Sequence, residues 1–194
     1  MTKDELKKLL ARRDNDEFVD AELLNRRPWI FEADAEYHSW CKSVADALKI
    51  EKEHIHIVGS AATGYSLSPL KPGRPFRRLG SSQRASDIDL AITSEDLFEE
   101  SWNTIVSFDR RHSLEMAREE REKMRTDIYW GLVGQRSLPT NTHSARRILT
   151  ALSIATRTPP IRGHVVRCRI YRRKDDLRAY HVNSLRQLRA QLEL

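Results

Sequence analysis

Two short apolar segments and the turn after the first of them decide the fold of this chain: His54-Ile55-His56-Ile57-Val58-Gly59-Ser60 and Ser86-Asp87-Ile88-Asp89-Leu90-Ala91-Ile92. Each segment is bounded by turn residues and predicts a β-strand. Because successive side chains of a strand face opposite ways, the apolar residues of the second segment are expected to enter a core. Asp87 and Asp89 then lie together on the opposite face.

Two like charges held this close favour a cation between them, and magnesium suits a pair of carboxylates. Gly59 permits a tight turn after the first strand. Ser60 and the amides of Ala61 and Ala62 are expected at the start of a following helix, where free amides bind anions. An anion site beside a divalent metal site suits a nucleoside triphosphate.

A Gly-Ser pair after one hydrophobic strand, followed by Asp-x-Asp inside the next, resembles the signature of the polymerase-beta-like nucleotidyltransferase superfamily. The resemblance covers residues 54–93. It implies a nucleotidyltransferase fold and a transferase that moves a nucleoside monophosphate from a triphosphate such as ATP to a hydroxyl, with release of pyrophosphate. The acceptor is expected to be RNA, a protein or another nucleotide. Minimal members of this superfamily often work beside a toxin or a defence effector, so a defence system is the expected setting.

The resemblance also implies roles for particular side chains. Asp87 and Asp89 are expected to bind Mg²⁺, with Mn²⁺ as the alternative ion. The expected nucleotide-binding residues are Gly59, Ser60, Thr63, Arg77 and Arg78. The two arginines belong to a long loop, residues 66–84, whose prolines and glycines exclude regular structure.

The third acidic residue of the family, which lies on a later strand, has no clear counterpart. The strand predicted over 164–173 carries Arg167 and Arg169 at its outward positions. Asp127 is the remaining candidate, so the expected catalytic carboxylates are Asp87, Asp89 and Asp127. Because the third acid is the expected general base, a second hypothesis stays open. It is a nucleotidyltransferase fold that has lost catalysis and binds nucleic acid or a partner protein.

Composition sets the class of protein. A length of 194 residues suits one domain, and a net charge of +6 with a pI near 9.5 favours polyanionic partners. Cys41 and Cys168 stand far apart without metal-ligand spacing, which predicts reduced core thiols. No apolar run approaches the roughly 18 residues that span a bilayer. The first residues also lack a signal-peptide pattern, so we expect no membrane contact and a cytoplasmic protein.

Hydrophobic periodicity along the chain predicts the helices and strands of an α/β (α+β) fold, and the resemblance implies that the strands form a small mixed sheet flanked by helices. Residues 1–30 are expected to form an N-terminal helical arm, which either packs on the main domain or contacts a partner. Residues 31–194 are expected to form the nucleotidyltransferase-like domain, so that the whole is one structural unit. Helices are predicted at 34–50, from Ser94, at 113–124, from Asn141 or Thr142, and from Asp175 onward. The segment 128–133 suits either a helix or a strand, and we favour the helix.

Overall fold

A computed structural model describes residues 2–81, 83–111 and 117–194. In this part of the chain a four-stranded mixed sheet is flanked by helices, so the coarse fold class is confirmed. The strands are β1 (Ile55–Val58), β2 (Ile88–Thr93), β3 (Leu132–Gly134) and β4 (Val166–Tyr171). The helices are α1 (Lys3–Leu10), α2 (Asn15–Val19), α3 (Asp34–Leu48), α4 (Ser60–Thr63), α5 (Glu95–Arg111), α6 (Arg118–Tyr129), α7 (His143–Ala155) and α8 (Lys174–Leu192). A π-helical turn, Asp20–Leu24, continues α2, and 3-10 turns cover Lys52–His54 and Gln135–Ser137.

The order of the strands across the sheet is β1-β2-β4-β3. β2 runs antiparallel to β1 and parallel to β4, while β3 runs antiparallel to β4. The register places Asp89 of β2 opposite Val58 on one side and opposite Arg167 on the other. The predicted aspartate pair therefore lies between the strand that ends at Gly59 and the strand that carries the arginines.

The two faces of the sheet are covered by different elements. On one face Ile88, Leu90 and Ile92 are buried in the main core with apolar side chains of α3, α5 and α7. The other face, which carries Asp89, holds a smaller cluster with residues of α8 at its edge. Its buried members are Val58, Ala91, Leu132, Tyr171 and Leu177. The alternation predicted for β2 is thus present.

The N-terminal arm packs against α8 and contributes to the core. Its fully or nearly fully buried side chains are Leu6, Leu10, Phe18, Val19, Leu23 and Ile30. Arg178 of α8 forms ion pairs with Asp16 and Asp20 at 2.6 and 2.8 Å. Arg189 of α8 donates a hydrogen bond to the carbonyl of Leu10 at 2.7 Å. These contacts support the packing role for residues 1–30.

The segment 128–133 differs from the helix that the sequence favoured. α6 ends at Tyr129, and Gly131 adopts a φ of 63°, a left-handed conformation that ends a helix. A Cβ at Gly131 would lie 2.5 Å from the carboxyl carbon of Asp176, so the close approach requires glycine. β3 follows at once. The helix prediction for Leu132 and Val133 is therefore wrong.

Two further predictions concern helices. The helix predicted over 113–124 is described from Arg118 onward, and residues 113–116 lie outside the described part of the chain. Among the helices that the structure describes, none is long and apolar enough to cross a bilayer.

Candidate functional site

β1 leads directly into a glycine turn. Gly59 has φ 68° and ψ −150°, a conformation that residues with a side chain rarely adopt. A Cβ at this position would lie 2.8 Å from Oδ2 of Asp89. The close approach follows from the register, which pairs Val58 with Asp89. The turn requires glycine for both reasons, and it brings the backbone next to a carboxylate.

A cleft of about 640 Å³ opens over this turn and the beginning of β2. Gly59, Ser60, Asp87 and Asp89 line it, so the structure brings these predicted residues together. The other polar and charged residues of the lining are Ser66, Ser68, Lys71, Arg74, Arg84, Ser86, Arg167, Arg169, Tyr180, His181 and Ser184. The two aspartates therefore face the same cleft as the glycine turn.

β4 places two arginines beside the aspartates, because its alternate residues are buried in the core. Nη2 of Arg167 lies 2.6 Å from Oδ2 of Asp87. The guanidinium of Arg169 lies over the ring of Tyr180, 5.6 Å from its centroid. Burial raises the pKa of Asp89, while Arg169 and Arg167 act in the opposite direction. Each carboxylate therefore has a guanidinium as its counter-charge.

Helix α8 forms a wall of the cleft that the sequence analysis did not predict. Tyr180, His181 and Ser184 line the cleft from this helix. Burial lowers the pKa of His181 to about 4, with a further contribution from Arg169, so the ring is neutral at pH 7. Its Nε2 is buried and has no hydrogen-bond partner within the described chain. The only sequence signal for these residues is their helical spacing, which does not reveal the sheet face that α8 covers.

Two of the predicted phosphate-binding groups, the amide of Ala62 and the hydroxyl of Thr63, are engaged in local hydrogen bonds after the Gly59 turn. The amides of Ala62 and Thr63 donate to the carbonyl of Gly59 at 3.1 and 3.3 Å. The hydroxyl of Thr63 donates to the carbonyl of Tyr65 at 2.6 Å, and Thr63 is buried outside the cleft lining. Of this segment only Gly59 and Ser60 reach the cleft.

The predicted loop arginines also lie elsewhere. Arg78 stacks over the ring of Trp29, 5.0 Å from its centroid, and donates to the carbonyl of Ile30. Neither Arg77 nor Arg78 lines the cleft. The exposed aromatic ring of Trp29 attracts the guanidinium of Arg78 by a cation–π interaction. The basic loop residues that do line the cleft are Lys71, Arg74 and Arg84.

Asp127, the candidate for the third carboxylate, lies on α6 and pairs with Lys123 at 3.4 Å. It is not part of the cleft lining. Within residues 2–81, 83–111 and 117–194, no group of three or more His, Cys, Asp or Glu side chains is arranged to hold a metal ion. Magnesium needs near-octahedral oxygen ligands, and Asp87 is already paired with Arg167. Binding of the expected ion to Oδ2 of Asp87 would therefore displace this ion pair.

No family model, no curated protein and no solved structure matches the chain. The function is therefore inferred from the geometry and the charge of the cleft.

Proposed function

We propose that the cleft binds the polyphosphate of a nucleoside triphosphate, in a scaffold of the nucleotidyltransferase type. The observation that carries this proposal is the charge of the lining, in which five basic side chains accompany two acidic ones. The basic residues are Lys71, Arg74, Arg84, Arg167 and Arg169, and the acidic ones are Asp87 and Asp89. Guanidinium groups bind phosphate oxygens in pairs of parallel hydrogen bonds, so a cluster of them favours a multiply charged anion.

The loop that carries Lys71 and Arg74 is held in place by backbone hydrogen bonds. Tyr65 forms a β-bridge with Pro75. The amide of Ser66 donates to the carbonyl of Arg74 at 2.8 Å, and that of Gly73 donates back to Ser66 at 2.9 Å. These bonds hold the cationic loop against the cleft, which lowers the entropy cost of binding a ligand there. The volume of about 640 Å³ also lies within the usual range for small-molecule sites.

Isothermal titration calorimetry with the four common ribonucleoside triphosphates tests this proposal. The double variant Arg74→Gln, Arg84→Gln is expected to weaken ATP binding by roughly tenfold or more, since each lost charge contact is worth about 1 kcal/mol. The double variant Arg77→Gln, Arg78→Gln removes the same charge from the same loop but outside the cleft, and it should leave the affinity unchanged. A wild-type protein that binds no triphosphate, or an equal loss in the control with Arg77 and Arg78 replaced, contradicts the proposal.

Nucleotidyl transfer to a hydroxyl of RNA, a protein or a nucleotide is the second candidate function. The observation that favours it is the contact between Asp89 and the Gly59 turn, together with Asp87 on the same cleft wall. Incubation with triphosphates labelled at the α-phosphate tests transfer directly. Label that reaches an acceptor with the wild type, and is lost in the Asp87→Ala, Asp89→Ala variant, supports catalysis. Binding without transfer leaves the cleft as a binding module.

A further inference from the structure

Arg167 lies beside both aspartates of the cleft. The register places Arg167 directly opposite Asp89, and its guanidinium pairs with Asp87 at 2.6 Å. The two carboxylates thus share a strand neighbour that carries a permanent positive charge. An arginine is not deprotonated in proteins, so this charge is present at every relevant pH.

We propose that the guanidinium of Arg167 takes the place that a divalent metal ion would otherwise occupy beside the two carboxylates. Arg169, held over Tyr180, adds the counter-charge for Asp89. Asp87 is therefore paired directly with an arginine of the chain, and Asp89 has two arginines near it. Part of the repulsion that would otherwise recruit a metal ion is relieved in this way.

The same guanidinium is open to a ligand. The side chain of Arg167 is 45% exposed, whereas that of Asp87 is 24% exposed. A guanidinium has five N–H donors, so pairing with one carboxylate leaves several for phosphate oxygens. On the basis of the proposed function, Arg167 then links Asp87 to a bound polyphosphate, and binding needs no divalent metal.

The first experiment measures divalent-ion binding in the absence of nucleotide, by the loss of the free Mn²⁺ signal in electron paramagnetic resonance. Arg167→Gln is expected to bind Mn²⁺ about tenfold more tightly than the wild type, because the ion no longer displaces a salt bridge. Arg84→Gln is the matched control: it removes one charge from the same cleft without touching either aspartate. We expect less than about a threefold gain for Arg84→Gln, since exposed charges are screened by salt. The inference is overturned if both variants gain affinity for Mn²⁺ equally, or if the wild type binds Mn²⁺ as tightly as Arg167→Gln does.

The second experiment uses Asp87→Asn, which keeps the shape of the side chain and decides the matter if Arg167→Gln does not fold. The variant releases Arg167 from its carboxylate, so tripolyphosphate titrated in EDTA should bind several-fold more tightly than to the wild type. A metal-dependent site predicts that neither protein binds tripolyphosphate in EDTA, and that in excess MgCl₂ Asp87→Asn binds it more weakly than the wild type, because the variant loses a metal ligand. Weaker binding to Asp87→Asn overturns the inference. Binding that appears only in MgCl₂ also overturns the inference and leaves the proposed function standing. If no protein binds tripolyphosphate in EDTA or in MgCl₂, the proposed function fails, and the Mn²⁺ experiment still judges the role of Arg167.

Discussion

The two faces of β2 are built in different ways. On the core face Ile88, Leu90 and Ile92 are 0–1% exposed, and each packs among many apolar side chains. On the cleft face Asp89 contacts the Gly59 turn and lies opposite Arg167. Many neighbours surround each core residue, whereas each cleft residue depends on one or two specific partners. Substitutions on the core face should therefore reduce stability, and those at the cleft should chiefly change binding and its dependence on charge.

The largest expected effect lies on the core face. Leu90→Ala should lower the free energy of unfolding by about 2–5 kcal/mol, because it removes buried methyl groups and leaves a cavity. Urea unfolding followed by circular dichroism measures this loss. Leu70→Ala is the control, since Leu70 is 92% exposed and should change stability by less than about 0.5 kcal/mol. Equal losses at the two positions would contradict the assignment of the core face.

The next effect concerns pH and a histidine on β1. Burial lowers the pKa of His56 to about 4 from 6.5, with smaller contributions from Lys174 and His54. A lowered pKa in the folded state means that the stability is present above pH 6.5 and is lost as the pH falls toward 4. The loss is on the order of 3 kcal/mol.

Urea unfolding at several pH values measures this slope in His56→Gln. The variant should show a shallower loss of stability between pH 6.5 and 4 than the wild type. The exposed His38 gives the control His38→Gln, which should keep the wild-type slope. An unchanged slope in His56→Gln would show that protonation of this ring is not linked to unfolding.

A smaller effect on stability is expected at the Gly59 turn. Gly59→Ala should cost on the order of 1–3 kcal/mol, because alanine is strained at a φ of 68° and its Cβ would press on Asp89. The same variant should lose affinity for ATP, since the backbone next to the cleft shifts. Gly134→Ala is the control, because Gly134 has φ −81° and open space at its Cβ position. The close approach would be contradicted if Gly59→Ala kept the melting temperature and the ATP affinity of the wild type.

The smallest effect is expected for Asp89→Asn. Burial raises the pKa of Asp89 in the folded protein, so its charged form destabilises the fold as the pH rises above the unfolded value. The variant should melt slightly higher than the wild type at pH 7, and the difference should shrink at about pH 3, where the carboxyl is protonated. Glu51→Gln, at an exposed position, should melt like the wild type at both pH values. A lower melting temperature for Asp89→Asn at pH 7 would contradict the effect of burial.

Much of the fold follows from local patterns that the sequence displays. The apolar periods predicted β1, β2, β4 and the long helices, and Ser94 and Thr142 accept hydrogen bonds at the starts of α5 and α7 as predicted. These features depend on neighbours in the sequence. The turn at Gly131 was missed because the need for glycine there comes from Asp176 on another element.

Only the part of the cleft formed by the Gly59 turn and the aspartates of β2 could be predicted from the sequence. Gly59, Ser60 and the aspartates belong to adjacent strands, so their meeting follows from one strand pairing. Which arginines line the cleft does not follow from that pairing, because Trp29 of the arm holds Arg78 away from the cleft. The cleft wall formed by α8, with His181, could not be predicted either, because it depends on which sheet face that helix covers.

Calorimetric titration of ATP into the wild-type protein, once in EDTA and once in excess MgCl₂, tests the central claim most directly. A cleft whose cations are its own arginines should bind ATP in EDTA at least as tightly as in magnesium, because the metal neutralises part of the triphosphate charge. Binding that is absent in EDTA and restored by magnesium would contradict the claim.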